Sequence, residues 1–258
     1  MSRPGKGVIY TVIFGGYDRL HDPRIRIESY DLVCFTDDRK LKSDSWDVRY
    51  VNSIYGDPVL DNRYYKMKPH LLFPQYEKSV YIDGNIKINK DPTQFFESLR
   101  DDILVAIPPH PYRDCAYDEV NTCLESNHIA KEEAAYWIGR YQEAGFPKGQ
   151  GLYENNILFR RHNELYVIEL MESWWNSFTK YGKRDQLSLS MSAWQKNIKI
   201  EPLRIGPRYS NKYFTLCVHE KYRKKGLISW MLGYLKNSRS IGLFVIWLKQ
   251  LLSKVEKL

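Results

Sequence analysis

The stretch that most constrains what this chain can fold into is residues 79–86, SVYIDGNI. Val80, Tyr81 and Ile82 have the β-branched and aromatic character of a buried strand. They deliver Asp83 and Asn85 to the point where that strand ends, with one glycine between them. On extended backbone, residues two apart point the same way. Two oxygen-bearing side chains on one side of a strand end, with Gly84 allowing close approach, suit a hard divalent cation shared with diphosphate oxygens. The same letters also read as a plain Asp-Gly-Asn turn, since these are the commonest turn residues.

The rest of the chain repeats the strand-then-polar-loop plan. Residues 7–14 (GVIYTVIF) form a first strand that runs into Gly15-Gly16-Tyr17, and residues 31–38 (DLVCFTDD) form a second ending at Asp37-Asp38. In doubly wound sheets, ligands sit at the carboxyl ends of strands. Thr11, Phe14, Gly15 and Tyr17 are therefore candidates to meet a nucleotide, and Asp37 and Asp38 to accept from a base or ribose hydroxyl. A tight turn and a helix cap are the competing readings. A short strand covers 46–51. A helical spacing follows over 62–73 and ends at Pro74; it carries Arg63, Lys66 and Lys68, of which Arg63 and Lys66 are placed to neutralise a diphosphate and Lys68 to lie on a solvated helix face.

Asp91-Pro92 starts a helix with Asp91 as N-cap. Residues 103–107 make a strand, and 108–127 read as a Pro-rich polar loop in which His110 could line an acceptor site. Residues 128–144 are helical, terminated by Gly145. A glycine-bearing loop then leads into a strand at Ile157, setting Glu154, Asn155 and Asn156 at a strand mouth, where amides and a carboxylate could read sugar hydroxyls. Asn163 is expected to cap a helix with the core stripe Leu165, Ile168, Met171, Trp175 and Phe178. Asp185 and Gln186 open a further helix, and residues 198–203 close the pattern. Strands alternating with helices make the fold class α/β with a mostly parallel sheet.

Composition fits one domain with an appendage. The 258 residues are 43% hydrophobic and 14% aromatic, enough for a substantial core. Nine of the 39 basic residues but only one of the 31 acidic residues lie in 221–258, so residues 1–220 carry 30 of each. A neutral body with a basic tail argues against a nucleic-acid groove. Residues 240–258 place Leu243, Phe244, Trp247, Leu248, Leu251, Leu252 and Val255 on one helical face. That apolar run is too short to span a bilayer, so the tail is expected to lie on an anionic membrane surface, with docking onto the domain or onto a second copy as the alternative. No basic-then-apolar leader opens the sequence. The expectation is therefore a cytoplasmic protein peripheral to the membrane, a domain over 1–220 and a basic helical tail over 221–258. The four cysteines lack metal spacing and are expected to be reduced thiols.

Five ordered blocks, IYTVIFGGYD, DLVCFTDD, RYYKMKPH with FPQYEKSVYIDGNI, GLYENNILFRRHN and RDQLSL, resemble the glycosyltransferase-like TOD1/MUCI70-like family, formerly a domain of unknown function. More distantly the chain is similar to the glycogenin and lipopolysaccharide galactosyltransferase family. That resemblance implies a GT-A-like fold, a nucleotide-sugar donor with a UDP-sugar favoured, and Mn²⁺ or Mg²⁺. By position it implies metal ligands Asp83 and Asn85 with His219 as the candidate for the late histidine ligand, a basic Lys66, sugar contacts from Asn155, Asn156 and Gln186, and acidic Asp185. Asn85 stands where the distant family has a second Asp, which removes one compensating charge. The expected activity is transfer of a sugar to a glycan or lipid-linked acceptor of surface polysaccharide type, with Lys66 stabilising the leaving diphosphate and Asp185 or Glu154 acting as base. The alternative class is a non-catalytic sugar- or nucleotide-binding adaptor at the membrane.

Overall fold

The structure, a computed structural model, describes residues 7–220 except 28, 183 and 210. The expected basic amphipathic tail over 221–258 lies outside the described residues.

The chain runs β1 (Gly7–Ile13), β2 (Tyr30–Thr36), β3 (Asp47–Tyr50), α1 (Pro58–Met67), α2 (Pro69–Leu72), β4 (Ser79–Ile82), β5 (Ile86–Ile88), α3 (Thr93–Glu97), β6 (Val105–Ile107), α4 (Ala116–Glu125), α5 (Lys131–Glu143), β7 (Ile157–Arg160), α6 (Leu165–Tyr181), α7 (Asp185–Gln195), β8 (Glu201–Pro202) and β9 (Phe214–Leu216). Seven strands form one sheet in the order β3-β2-β1-β4-β7-β6-β8, and β5 pairs with β9 in a second, two-stranded sheet. The large sheet is mostly parallel. Only β7 runs against both its neighbours, β4 and β6.

Strand alternation sorts the core onto two faces. Val8, Tyr10 and Val12 of β1 pack with Val33, Tyr81 and Leu158 against Tyr65, Met67, Leu170 and Trp174 of α1 and α6. Ile9, Ile13, Cys34, Val80, Ile82 and Phe159 pack on the other face with Phe96 and Phe214. A separate cluster joins α4, α5 and α7 through Val120, Trp137, Tyr141, Leu187 and Met191. All four cysteines are free thiols.

Three expectations are corrected at the level of elements. The 108–127 stretch contains helix α4, whose Ala116, Glu119, Val120 and Cys123 turn inward at helical spacing. Asn163 does not cap α6: Glu164 takes that position, and the Asn163 amide donates to the Pro74 and Tyr76 carbonyls instead. Lys68 is buried and paired with Glu172, so it is not on a solvated face.

Candidate active site

The site lies where β1, β4 and β7 converge. Because β7 is antiparallel, the segment entering it meets the segments leaving β1 and β4 at one rim. The Asp83 N–H donates to the Asn156 carbonyl at 2.9 Å and so joins two of these segments directly. Gly84 sits under the end of β1 and its loop: a Cβ there would come 3.0 Å from the Ile13 side chain and 3.1 Å from that of Asp18, so a larger residue would push these neighbours back by a few tenths of an ångström.

Lys66 is held at both its main-chain carbonyl and its ammonium. It lies in the last turn of α1, whose N-cap Asp57, just ahead of Pro58 in the first turn, accepts from the Val59 and Leu60 N–H groups. The Lys66 carbonyl accepts from Tyr10 Oη at 2.8 Å and from Arg160 Nη1 at 2.8 Å, while Arg160 Nη2 donates to Tyr10 Oη at 2.6 Å. All three residues are buried. The Lys66 ammonium lies 5.0 Å from the Tyr81 ring centre and 5.9 Å from that of Trp174. It reaches Asp185 Oδ2 at 2.8 Å and stands 3.8 Å from Asp83 Oδ1. Arg63 Nε meets the same Asp185 oxygen at 2.9 Å. Arg63 and Lys66 therefore hold the buried Asp185 carboxyl far below the usual carboxylate range, against the opposing effect of burial. A carboxylate so held is a poor proton acceptor. Its expected part as base is corrected to that of an anchor for two cations.

Glu154 behaves differently. Its N–H donates to the Pro108 carbonyl at 2.9 Å, and its carboxyl pairs with Arg208 Nε at 2.6 Å. Burial nevertheless pushes its pKa up to about 7, with Arg208 opposing the rise. Asn155 beside it adopts φ 55°, a left-handed conformation uncommon outside glycine, and both polar atoms of its buried amide lack a hydrogen-bond partner. Asn156 Oδ1 is likewise buried without a partner. A left-handed residue and unsatisfied buried amides thus fall together in the short segment that enters β7. Gln186 Nε2 donates to the Tyr153 carbonyl at 3.2 Å and steadies this segment.

His110 sits 3.3 Å from Arg113, which pairs with the buried Glu119; Glu119 in turn faces Arg184, the neighbour of Asp185. Burial and Arg113 lower the His110 pKa to about 4, leaving a neutral ring at physiological pH.

The first strand supplies less to the rim than expected. Thr11 is buried in mid-strand opposite Cys34, and Phe14 is buried and stacked on Tyr65 at 5.6 Å, so both belong to the core. The Asp37 carboxylate accepts from the Gly15 N–H at 3.0 and 3.1 Å and shapes the glycine loop. Asp38 caps the turn that follows by accepting from Lys40 N–H. Tyr17 is exposed, its ring centre 5.1 Å from that of His219 in an edge-to-face arrangement.

The expected metal trio is arranged around other partners. A carboxylate only accepts, so His219 Nδ1–H donates to Asp18, at 2.8 and 3.1 Å from its two oxygens. This leaves the Nε2 lone pair facing the Asn85 amide nitrogen at 3.3 Å. The Asn85 amide also donates to the Cys217 carbonyl at 3.0 Å, and Asp83 Oδ1 accepts from Tyr81 Oη at 2.8 Å. Among the described residues no group of three His, Cys, Asp or Glu side chains converges on one point. As placed, Asp83, Asn85 and His219 do not fit a Mn²⁺ or Mg²⁺ ligand set, because the histidine lone pair and the amide N–H groups are turned toward each other. Asp18 escaped the sequence reading, since an Asp after a Gly-Gly-Tyr turn carries no signal of a histidine 201 residues away.

The family model described as TOD1/MUCI70, glycosyltransferase-like domain, matches residues 2–226. Comparison with curated proteins gives no match. Among solved structures, the apo bifunctional glycosyltransferase WbbM is 11% identical, with a TM-score of 0.49 over 91% of this chain and 44% of its own. Mouse xyloside xylosyltransferase 1 is 11% identical, with a TM-score of 0.44 over 76% of this chain and 84% of its own. GlyE of Streptococcus pneumoniae TIGR4 is 12% identical, with a TM-score of 0.43 over 77% of this chain and 45% of its own. This chain thus spans less than half of WbbM and of GlyE.

Proposed function

Because the chain belongs to the TOD1/MUCI70 glycosyltransferase-like family, we propose that it transfers a sugar from a nucleoside diphosphate sugar, a UDP-sugar first among the candidates, to a glycan or lipid-linked acceptor. The observation that carries this reading is the pair of cations, Lys66 and Arg63, converging on Asp185 beside Asp83 at the mouth of the sheet. Departure of a nucleoside diphosphate develops negative charge on its phosphate oxygens, and preorganised cations in a water-poor site stabilise that charge. Asp185 keeps both cations in place in the free protein, and a diphosphate arriving beside Asp83 would share them.

Glu154 is the group suited to take the proton from the attacking acceptor hydroxyl, because its carboxyl titrates near neutrality. Asn155 and Asn156 would exchange their missing hydrogen bonds for sugar hydroxyls, so binding relieves a cost already present in the free protein. No step in this reading passes through a metal ion. The basic residues of 221–258 would hold the protein at an anionic membrane where a lipid-linked acceptor resides.

The deciding experiment is a thermal-shift screen of nucleotide sugars with and without Mn²⁺, followed by a search for slow hydrolysis of any donor that binds. A donor that raises the melting temperature and is turned over supports the transferase. A donor that binds and is never cleaved would leave an adaptor.

A further inference from the structure

Asn85 occupies a position where a carboxylate would favour a cation, yet its surroundings call for a donor. Its main-chain carbonyl accepts from the Cys217 N–H at 2.7 Å, and its side-chain nitrogen donates to the Cys217 carbonyl at 3.0 Å. The same nitrogen faces His219 Nε2 at 3.3 Å, while His219 Nδ1–H is held by Asp18. The orientation of the amide is settled by these neighbours, because the reverse placement would set its oxygen against a carbonyl oxygen and a lone pair. Both N–H bonds of the amide therefore have acceptors, and Asn85 is only 3% exposed.

We propose that Asn85 is a clasp: a positioning residue whose amide fastens the segment following β9, with His219, across the mouth of the sheet so that this segment walls the nucleotide site. Asp18 completes the fastening from the β1 loop. An aspartate at 85 would restore the two-carboxylate motif while opposing the Cys217 carbonyl and the His219 lone pair with further acceptors. It would unfasten the wall.

The clasp rests on geometry alone, and its effect on nucleotide affinity rests on the function proposed above. Asn85→Asp and Asn85→Ala in the full chain are compared by hydrogen exchange of the 214–219 peptide, by UDP binding and by the nitrogen NMR resonance of His219 Nε2. Expected are about tenfold faster exchange confined to that peptide, as loss of a hydrogen bond implies, a displaced Nε2 resonance and about tenfold weaker UDP binding. The melting temperature of Asn85→Asp should gain no more from Mn²⁺ than that of the wild type. Wild-type exchange at 214–219 in Asn85→Asp overturns the clasp, whether or not Mn²⁺ binds more tightly. Should Asn85→Asp lose protection throughout the chain, Asn85→Ala decides: a local increase sustains the clasp and wild-type exchange overturns it. If UDP fails to bind even the wild type, the transferase reading is what fails, and the exchange result still judges the clasp.

Discussion

Lys66 and Asp185 are a buried ion pair, and such pairs are better evidence of function than of stability, since burying charge costs about what the pairing returns. Methionine keeps an unbranched apolar chain beside the Tyr81 and Trp174 rings, and Arg63 would still face Asp185. Lys66→Met is therefore expected to fold, with a stability change of roughly 1–3 kcal/mol by thermal melting, and to lose at least about a hundredfold in turnover. Asp83→Ala should also abolish turnover with the fold intact; retained turnover would remove Asp83 from the site.

Glu154 makes a pH prediction. Its folded pKa of about 7 lies above its ordinary 4.5, so between those values the native state holds a proton that the unfolded chain has released. Stability then falls as pH rises through this window, by up to about 1.4 kcal/mol per pH unit. Glu154→Gln should flatten that part of the denaturation profile, gain on the wild type at pH 8, match it at pH 4, and lose the activity rise centred near pH 7. Asn155→Gly should relieve backbone strain and remove two unsatisfied atoms, adding about 1 kcal/mol of stability while reducing turnover.

Asp83, Lys66, Glu154, Asn155 and Asp185 could be placed near one rim from the sequence because each lies near a strand or helix boundary. Sequence reading misplaced Thr11 and Phe14 because alternation within a strand does not say where the strand leaves the core. It could not separate Asp185 from Glu154 as base, since their difference lies in partners 119 residues away in one case and a loop arginine in the other.

At the scale of elements, the end of α1 is set by a tie between β1 and β7. Tyr10 and Arg160 together hold the Lys66 carbonyl. Tyr10→Phe removes one of two donors and should cost about 1 kcal/mol, with turnover largely kept. Arg160→Leu removes the other donor together with the bond to Tyr10 Oη, and should cost several kcal/mol and lower turnover, although Arg160 is far down β7 from the rim. The main strands were legible because β-branched and aromatic runs ended in glycine or aspartate. Helix α4 was not, because prolines at 108, 109 and 111 dominated the reading of a segment whose helical spacing starts only at Ala116. The Asn163 error has a similar cause: a residue with good capping chemistry was taken up by carbonyls of a neighbouring loop.

At the scale of the whole molecule, residues 1–220 are electrically balanced and the excess positive charge belongs to 221–258. If that segment meets a membrane, full-length protein should bind vesicles containing anionic lipid, release them as salt rises, and lose binding when the chain stops at Glu220. Equal binding by both chains in a sedimentation assay would end the membrane reading. The mostly parallel sheet was legible as a class from alternating strands and helices. The reversal of β7 was not, since direction within a sheet leaves no mark on composition, yet this reversal brings Glu154 to the same rim as Asp83.

The fastening of His219 to Asp18 and Asn85 also has an order in time. These partners stand 201 and 134 residues earlier in the chain, so during synthesis Asp18 and Asn85 emerge long before the histidine they hold. A growing chain would hold Asp18 and Asn85 without their partner until residues 217–219 emerge, so this wall would be the last of these segments to close.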